Sequence, residues 1–217
     1  MLYKKLILEG SQQVYFTSDT HYSHKNICRG TSTWDLRGSD IHSSTRDFVT
    51  VEDMNKALIE GINSKVQEND WLVHLGDWSF GGEQEIEKLR ESINCKNIIL
   101  VLGNHDHHIA TKEVHQDLFE SVHSYLELKV SSSRFGKKVY NLCHFPMAVW
   151  NKAHHGRYML HGHCHNSYQG EGKSLDIGVD SAKEKLGVYR PFSQQDIEDY
   201  MNHREFIQKS HHNENTN

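Results

Sequence analysis

Asp, His and Asn recur along this chain in five short clusters: Asp19-Thr20-His21, Gly76-Asp77, Gly103-Asn104-His105, His144 and Gly162-His163-Cys164-His165. Carboxylate and amide oxygens with imidazole nitrogens are donors that suit Mn, Fe, Zn or Ni. A tetrahedral site closes with four ligands, and the clusters hold more than one ion can use. They therefore read as the donors of two ions. In an extended segment side chains alternate with a period of two, so Asp19 and His21 are expected on one side, as are His163 and His165, with Cys164 turned away and not a ligand. Any one of these pairs is a weak signal; the ordered set carries the reading.

The elements that must position these donors follow from hydropathy patterning. Residues 12–18 (QQVYFTS) form a short β-rich run ending at Asp19. Residues 52–66 put Met54, Ala57, Leu58, Gly61, Ile62 and Val66 on one helical face, with Thr50 as N-cap. A strand over 71–75 (WLVHL) runs into Gly76-Asp77. A helix over 83–93 leads to 97–102 (NIILVL), an apolar run typical of a strand buried on both faces, followed at once by Gly103-Asn104-His105. Strands alternating with helices imply a parallel sheet, and ligands bind such sheets at the carboxyl ends of the strands. Further on, 122–130 and 137–143 read as a hairpin delivering His144. Strands are expected at 158–160 and 175–179, and a helix at 193–208 capped by Ser193.

A length of 217 residues with 36% hydrophobic content suits one core, so residues 1–217 are expected to form a single domain with a frayed tail from about Ser210. The net charge of −5 and pI near 6.4 provide no general basic field for nucleic acid. No signal-length apolar core occupies residues 1–10, and no apolar run approaches the roughly 20 residues that span a bilayer. A cytoplasmic, non-membrane protein is expected. Cys28, Cys95, Cys143 and Cys164 lack CxxC spacing and read as reduced thiols without a site role. Of 18 histidines, His42, His115, His123, His203, His211 and His212 lie in polar surroundings and read as surface residues. His74, His107, His108, His154, His155 and His161 adjoin the clusters and are expected to support them.

The series D-x-H, G-D, G-N-H-D, H and G-H-x-H over residues 19–165 resembles that of the calcineurin-like metallophosphoesterases. The resemblance implies a four-layer α/β/β/α sandwich with a dinuclear metal site at the C-terminal ends of the strands. It implies that Asp19, His21 and His165 hold one ion, that Asn104, His144 and His163 hold the other, and that Asp77 bridges them. His105 would be a non-ligand histidine beside the leaving group. Elementary electrostatics agrees: two divalent ions bring about +4 and Asp19 with Asp77 about −2, leaving roughly +2 to attract a phosphate oxyanion. Ions about 3.5 to 4 Å apart also lower the pKa of a bridging water, so that hydroxide attack becomes available at neutral pH. A protonated His105 can supply the leaving oxygen with its proton. Asp106 has two readings, as the residue orienting His105 or as a cap for the next helix.

The connection over 22–50 carries His24, Lys25, Asn26, Arg29, Trp34, Arg37 and Arg46, from which Asn26 and Arg29 are selected as substrate contacts. Its segment HYSHKNI resembles small standalone bacterial and phage members of the family. Ser/Thr protein phosphatases of the superfamily carry Asp-Arg after the second-motif Gly-Asp and Glu after Asn-His. Here Trp78-Ser79-Phe80 and Asp106 stand in those places, which weakens that reading. The expected function is a metal-dependent phosphodiesterase acting on a nucleotide or nucleic-acid diester. The alternatives are a nucleotide pyrophosphohydrolase or phosphomonoesterase of the same superfamily, a non-catalytic metal-binding module, and an HD-type hydrolase, whose ligands would sit on helices.

Overall fold

Short runs of β-branched, aromatic and aliphatic residues, most of them followed by glycine or a polar turn, divide the described residues into ten strands and six α-helices, with three short 3-10 turns between them. The computed structural model describes residues 3–34 and 45–205. Arg37, His42, His211, His212, the tail from Ser210 and the far end of the 193–208 helix lie outside the described residues. The first half contains β1 (Tyr3–Ile7), β2 (Val14–Thr17), α1 (Val51–Asn63), β3 (Trp71–His74), α2 (Glu83–Ser92), β4 (Asn97–Val101), α3 (His107–Thr111) and α4 (Glu113–Gln116). The second contains β5 (Ser121–His123), β6 (Leu126–Ser132), β7 (Gly136–Leu142), β8 (Tyr158–His161), β9 (Ser174–Asp176), α5 (Val179–Leu186), β10 (Phe192–Ser193) and α6 (Gln194–Asn202).

The strands form two five-stranded sheets, ordered β10-β2-β3-β4-β5 and β1-β6-β7-β8-β9. In the first, β2, β3, β4 and β5 are parallel and only β10 is antiparallel. In the second, β6 and β7 form the expected antiparallel hairpin, while β1, β8 and β9 pair in parallel. One face of each sheet closes a common core: Val14, Phe16, Val73, Leu75, Ile99 and Val101 meet Leu126, Leu128, Val130, Tyr140, Leu142 and Leu160. The opposite face of the first sheet, with Tyr15, Leu72, Ile98 and Leu100, packs on Ile62, Ile86, Leu89 and Ile109 of the helices. This double burial explains why the run Ile98 to Val101 is apolar at every position, each side chain contributing about 1.5–3 kcal/mol.

The helix ends follow local chemistry. Thr50 accepts the Asp53 amide at the start of α1, where Glu52 and Asp53 also favour the positive end of the helix dipole. Ser193 and Asp196 form a reciprocal capping box on α6. Two expected elements are corrected. The run 122–130 is not one strand: β5 pairs with β4, β6 pairs with β1 and β7, and the chain changes sheets at Ser124 and Tyr125. The run 175–179 is not one strand either. Asp176 Oδ1 accepts the Gly178 amide at 2.8 Å, turning the backbone so that Val179 begins α5.

Candidate metal centre

Register brings the five motifs to one edge. Thr17 is opposite His74 and His74 opposite Leu100, so β2, β3 and β4 end level and release Asp19, Asp77 and Gly103 side by side. Leu142 is opposite Leu160, and His144 and Gly162 each follow two residues later, joined by a Gly162 amide to His144 carbonyl bond of 2.9 Å. The chain turns sharply there. Asp19, His21, Asp77, His163 and His165 have φ of 56°, 45°, 54°, 67° and 45°. This corrects the extended-segment reading of Asp19-x-His21 and His163-x-His165: left-handed turns, not strand alternation, aim the donors. Such non-glycine conformations cost about 1–3 kcal/mol each and persist only where surroundings enforce them.

Two groups of donors result. Donor atoms of Asp19, His21 and His165 lie within 4.8 Å of one another, and so do those of Asp77, His144 and His163; either group could hold an ion. His163 and His165 therefore face different groups. Asp77 Oδ2 sits between the two, 3.3 Å from His21 Nε2 and 3.5 Å from His144 Nε2. Asn104 Oδ1 is 3.0 Å from both His144 Nε2 and His163 Nδ1. Close approach explains the glycines: a Cβ on Gly103 would lie 2.3 Å from Asp77 Oδ1, and one on Gly162 2.4 Å from Asp19 Oδ2.

The chemistry of these donors fits cations. His144 Nδ1 lies 2.7 Å from the Leu75 carbonyl, which can only accept, so the neutral ring keeps its lone pair on Nε2. That lone pair faces the Asn104 and Asp77 oxygens, three acceptors converging. Among the described residues neither ring nitrogen of buried His21 makes a well-formed hydrogen bond, although Nε2 lies 3.3 Å from Asp77 Oδ2. Burial pushes His21 down to about 3, leaving it neutral and able to donate electron pairs. Burial also lifts the Asp19 carboxyl to about 7, against the pull of His165 and His144. A bound cation would relieve that cost. Burial alone would raise Asp77 as well; the His105 amide, which donates to its Oδ1 at 2.9 Å, favours the ionised form.

Surrounding groups fix the donors in place. His165 Nδ1 bonds Asp180 Oδ2 at 2.7 Å, turning Nε2 toward Asp19. Arg46, 3% exposed, grips Asp180 with two bonds of 2.8 and 2.9 Å and donates to the Asp19 and Thr20 carbonyls. Removing one partner of a buried ion pair leaves the other uncompensated. Arg46→Met is expected to lose about 3–5 kcal/mol in urea unfolding, and a loss below about 1 kcal/mol would mean the pair is effectively solvated. Buried His74 accepts the Gly76 amide on Nδ1 and contacts Thr20 Oγ1 through Nε2 at 3.0 Å.

Several expectations need revision. Asp106 takes neither of its two readings. Its carboxylate accepts the Asp77, Trp78 and Gly103 amides at 2.8, 2.9 and 2.8 Å and makes no side-chain cap on α3. It is a positioning residue that ties two motif loops together. His115, read as a surface residue, is buried against Glu83 Oε2 at 2.9 Å, because α4 folds back toward α2. A cleft of about 920 Å³ opens beside His21, His105 and His165, and His24, Asn26 and Trp34 line it. Arg29 is not among the described lining residues; Asp47 and Thr45 engage its guanidinium. Asn26 Oδ1 receives the Thr33 amide and hydroxyl, both at 3.0 Å, so it shapes the cleft wall. Asp180 carried no sequence signal: it lies in Gly178-Val179-Asp180-Ser181, outside every motif, and only the fold brings it to His165.

Comparison with known proteins adds three findings. The family described as Calcineurin-like phosphoesterase matches residues 13–216. An uncharacterized protein of Methanocaldococcus jannaschii is 34% identical over 97 residues, which cover 44% of this chain and 47% of that protein, so the match spans about half of each. The crystal structure of a protein of unknown function from Aquifex aeolicus has a TM-score of 0.54 at 20% identity, covering 88% of this chain and 100% of that one. At that identity the likeness concerns the fold alone.

Proposed function

This chain belongs to the calcineurin-like phosphoesterase family, and on that premise we propose that it is a single-domain, dinuclear phosphodiesterase acting on a nucleotide or nucleic-acid diester. The observation that carries the reading is the position of Asp77 Oδ2, 3.3 Å from a nitrogen of one donor group and 3.5 Å from a nitrogen of the other. In this reading Asp19, His21 and His165 hold one divalent ion, Asn104, His144 and His163 a second, and Asp77 is shared. Bound Mn, Fe, Ni or Zn would supply positive charge to a phosphoryl group and an acidified water.

The remaining roles belong to the chain itself. Asp180 and the Leu75 carbonyl keep His165 and His144 in the tautomers that leave Nε2 free. Asp106 holds the Asp77 and Gly103 loops together from below. His105, exposed at the cleft and 5.5 Å from the His21 ring, is positioned to give a proton to the departing oxygen. The diester preference is supported by the cleft lining, which among the described residues includes no lysine or arginine. A singly charged diester asks for less counter-charge than a dianionic monoester. Four free cysteines support a reducing compartment, and among the described residues no helix is long and apolar enough to cross a membrane.

Assays with each divalent ion should give higher kcat/KM on bis-p-nitrophenyl phosphate than on p-nitrophenyl phosphate. The reverse order would favour a monoesterase. One tightly held zinc per chain, with no hydrolysis of either compound, would favour a non-catalytic metal-binding module.

A further inference from the structure

Phe80 and Trp34 are large apolar side chains with 36% and 42% of their surface exposed, and both line the cleft beside the donor groups. Exposed apolar residues scattered singly need no explanation, but these two flank a common ring. His24 stacks on Phe80 with centroids 3.9 Å apart and planes 10° apart, and meets Trp34 edge-on at 6.1 Å and 87°. The result is a wall of flat ring surfaces next to a site for phosphate chemistry. His24 and Phe80 cover one face of each other, and the ring surface left exposed on Phe80 and Trp34 suits a planar heterocycle, which aliphatic groups do not match in shape or contact area.

The wall also has a side. Phe80 packs edge-on against His105 at 5.2 Å and 63°, and tilts toward His21 at 6.4 Å. Among the described residues the exposed apolar ring beside the other donor group is Phe145, whose edge contacts are with His144 and His163 themselves. Phe145 is not among the described residues that line the cleft. The three-ring wall therefore lies on the side of His105, the proposed donor of a proton to the leaving oxygen.

We propose that Trp34, Phe80 and His24 bind a nucleobase carried by the leaving arm of the diester, so that the enzyme expels the nucleoside and leaves phosphate on the other arm. The inference rests on the phosphodiesterase reading and adds a direction of cleavage to it. The P–O bond to the nucleoside 5′ oxygen breaks, and its electron pair departs on that oxygen. His105 provides the proton that makes it a hydroxyl. The oxygen of water forms the new P–O bond, and the proton that water gives up returns to His105 through solvent.

The test is the ethyl ester of adenosine 5′-monophosphate, whose two arms are both primary alkoxides of similar intrinsic reactivity. The wild-type protein with Mn should yield adenosine and ethyl phosphate in excess over adenosine 5′-monophosphate and ethanol. Base stacking predicts an excess of roughly 5-fold to 100-fold. Phe80→Leu and Trp34→Leu should each move the product ratio toward one; two variants guard against one failing to fold. Equal products, predominant adenosine 5′-monophosphate, or a ratio unmoved in both variants would overturn the proposal. So would hydrolysis of bis-p-nitrophenyl phosphate without cleavage of the adenosine ester. If neither compound is hydrolysed with any divalent ion, the phosphodiesterase reading itself falls.

Discussion

Asp77→Asn is expected to lose both metal occupancy and turnover, the latter by more than about 100-fold. Removing a residue that merely orients a metal ligand already costs about 10- to 100-fold, and Asp77 contributes more than orientation. Its Oδ2 reaches toward His21 and His144 at 3.3 and 3.5 Å, while its Oδ1 accepts the His105 amide at 2.9 Å. Asparagine keeps the shape and one oxygen for the amide, but not the charge. The loss should therefore appear in metal content per chain, measured by plasma spectrometry, with the unfolding midpoint of the metal-free protein little changed. A variant that retains two ions per chain and full activity would remove Asp77 from the shared position.

His105→Ala should separate chemistry from metal binding. His105 lies outside both donor groups, and its exposed ring borders the cleft. Metal content should be unchanged. Turnover of diesters with alkoxide leaving groups should fall by about 10²- to 10⁴-fold, the usual contribution of a positioned proton donor. Turnover of bis-p-nitrophenyl phosphate, whose leaving group needs no proton, should fall far less. Equal losses on the two substrate types would show that the ring acts on binding or on loop shape, not on the departing oxygen.

Much of the site was legible because its donors occur in short motifs directly after strands, and strand position is a local property of apolar runs such as NIILVL. The α1 face through Met54, Leu58 and Ile62 was legible for the same reason. Other features depended on contacts between distant residues. Asp180 lies 134 residues from Arg46, and nothing in either neighbourhood marks the pair. Asp106 was read from its neighbour His105, yet its three partners are backbone amides, which no residue pattern announces. The break between β5 and β6 was hidden because Ser124 and Tyr125 do not interrupt a β-like pattern; the two halves part because they pair with different sheets. β1 escaped notice because its lysines obscure the apolar pattern of an edge strand.

The level ends of β2, β3 and β4 make the sheet a ruler for this centre. A single residue added to or lost from β3 would invert which side chains face the two cores and would also shift Asp77 by about 3.3 Å relative to Asp19 and Gly103. A residue added in the β6–β7 turn, where Ser132 is opposite Gly136, leaves both distances untouched. Length variation compatible with an intact centre is therefore confined to connections away from the level edge, and shortening a strand here amounts to mutating the site.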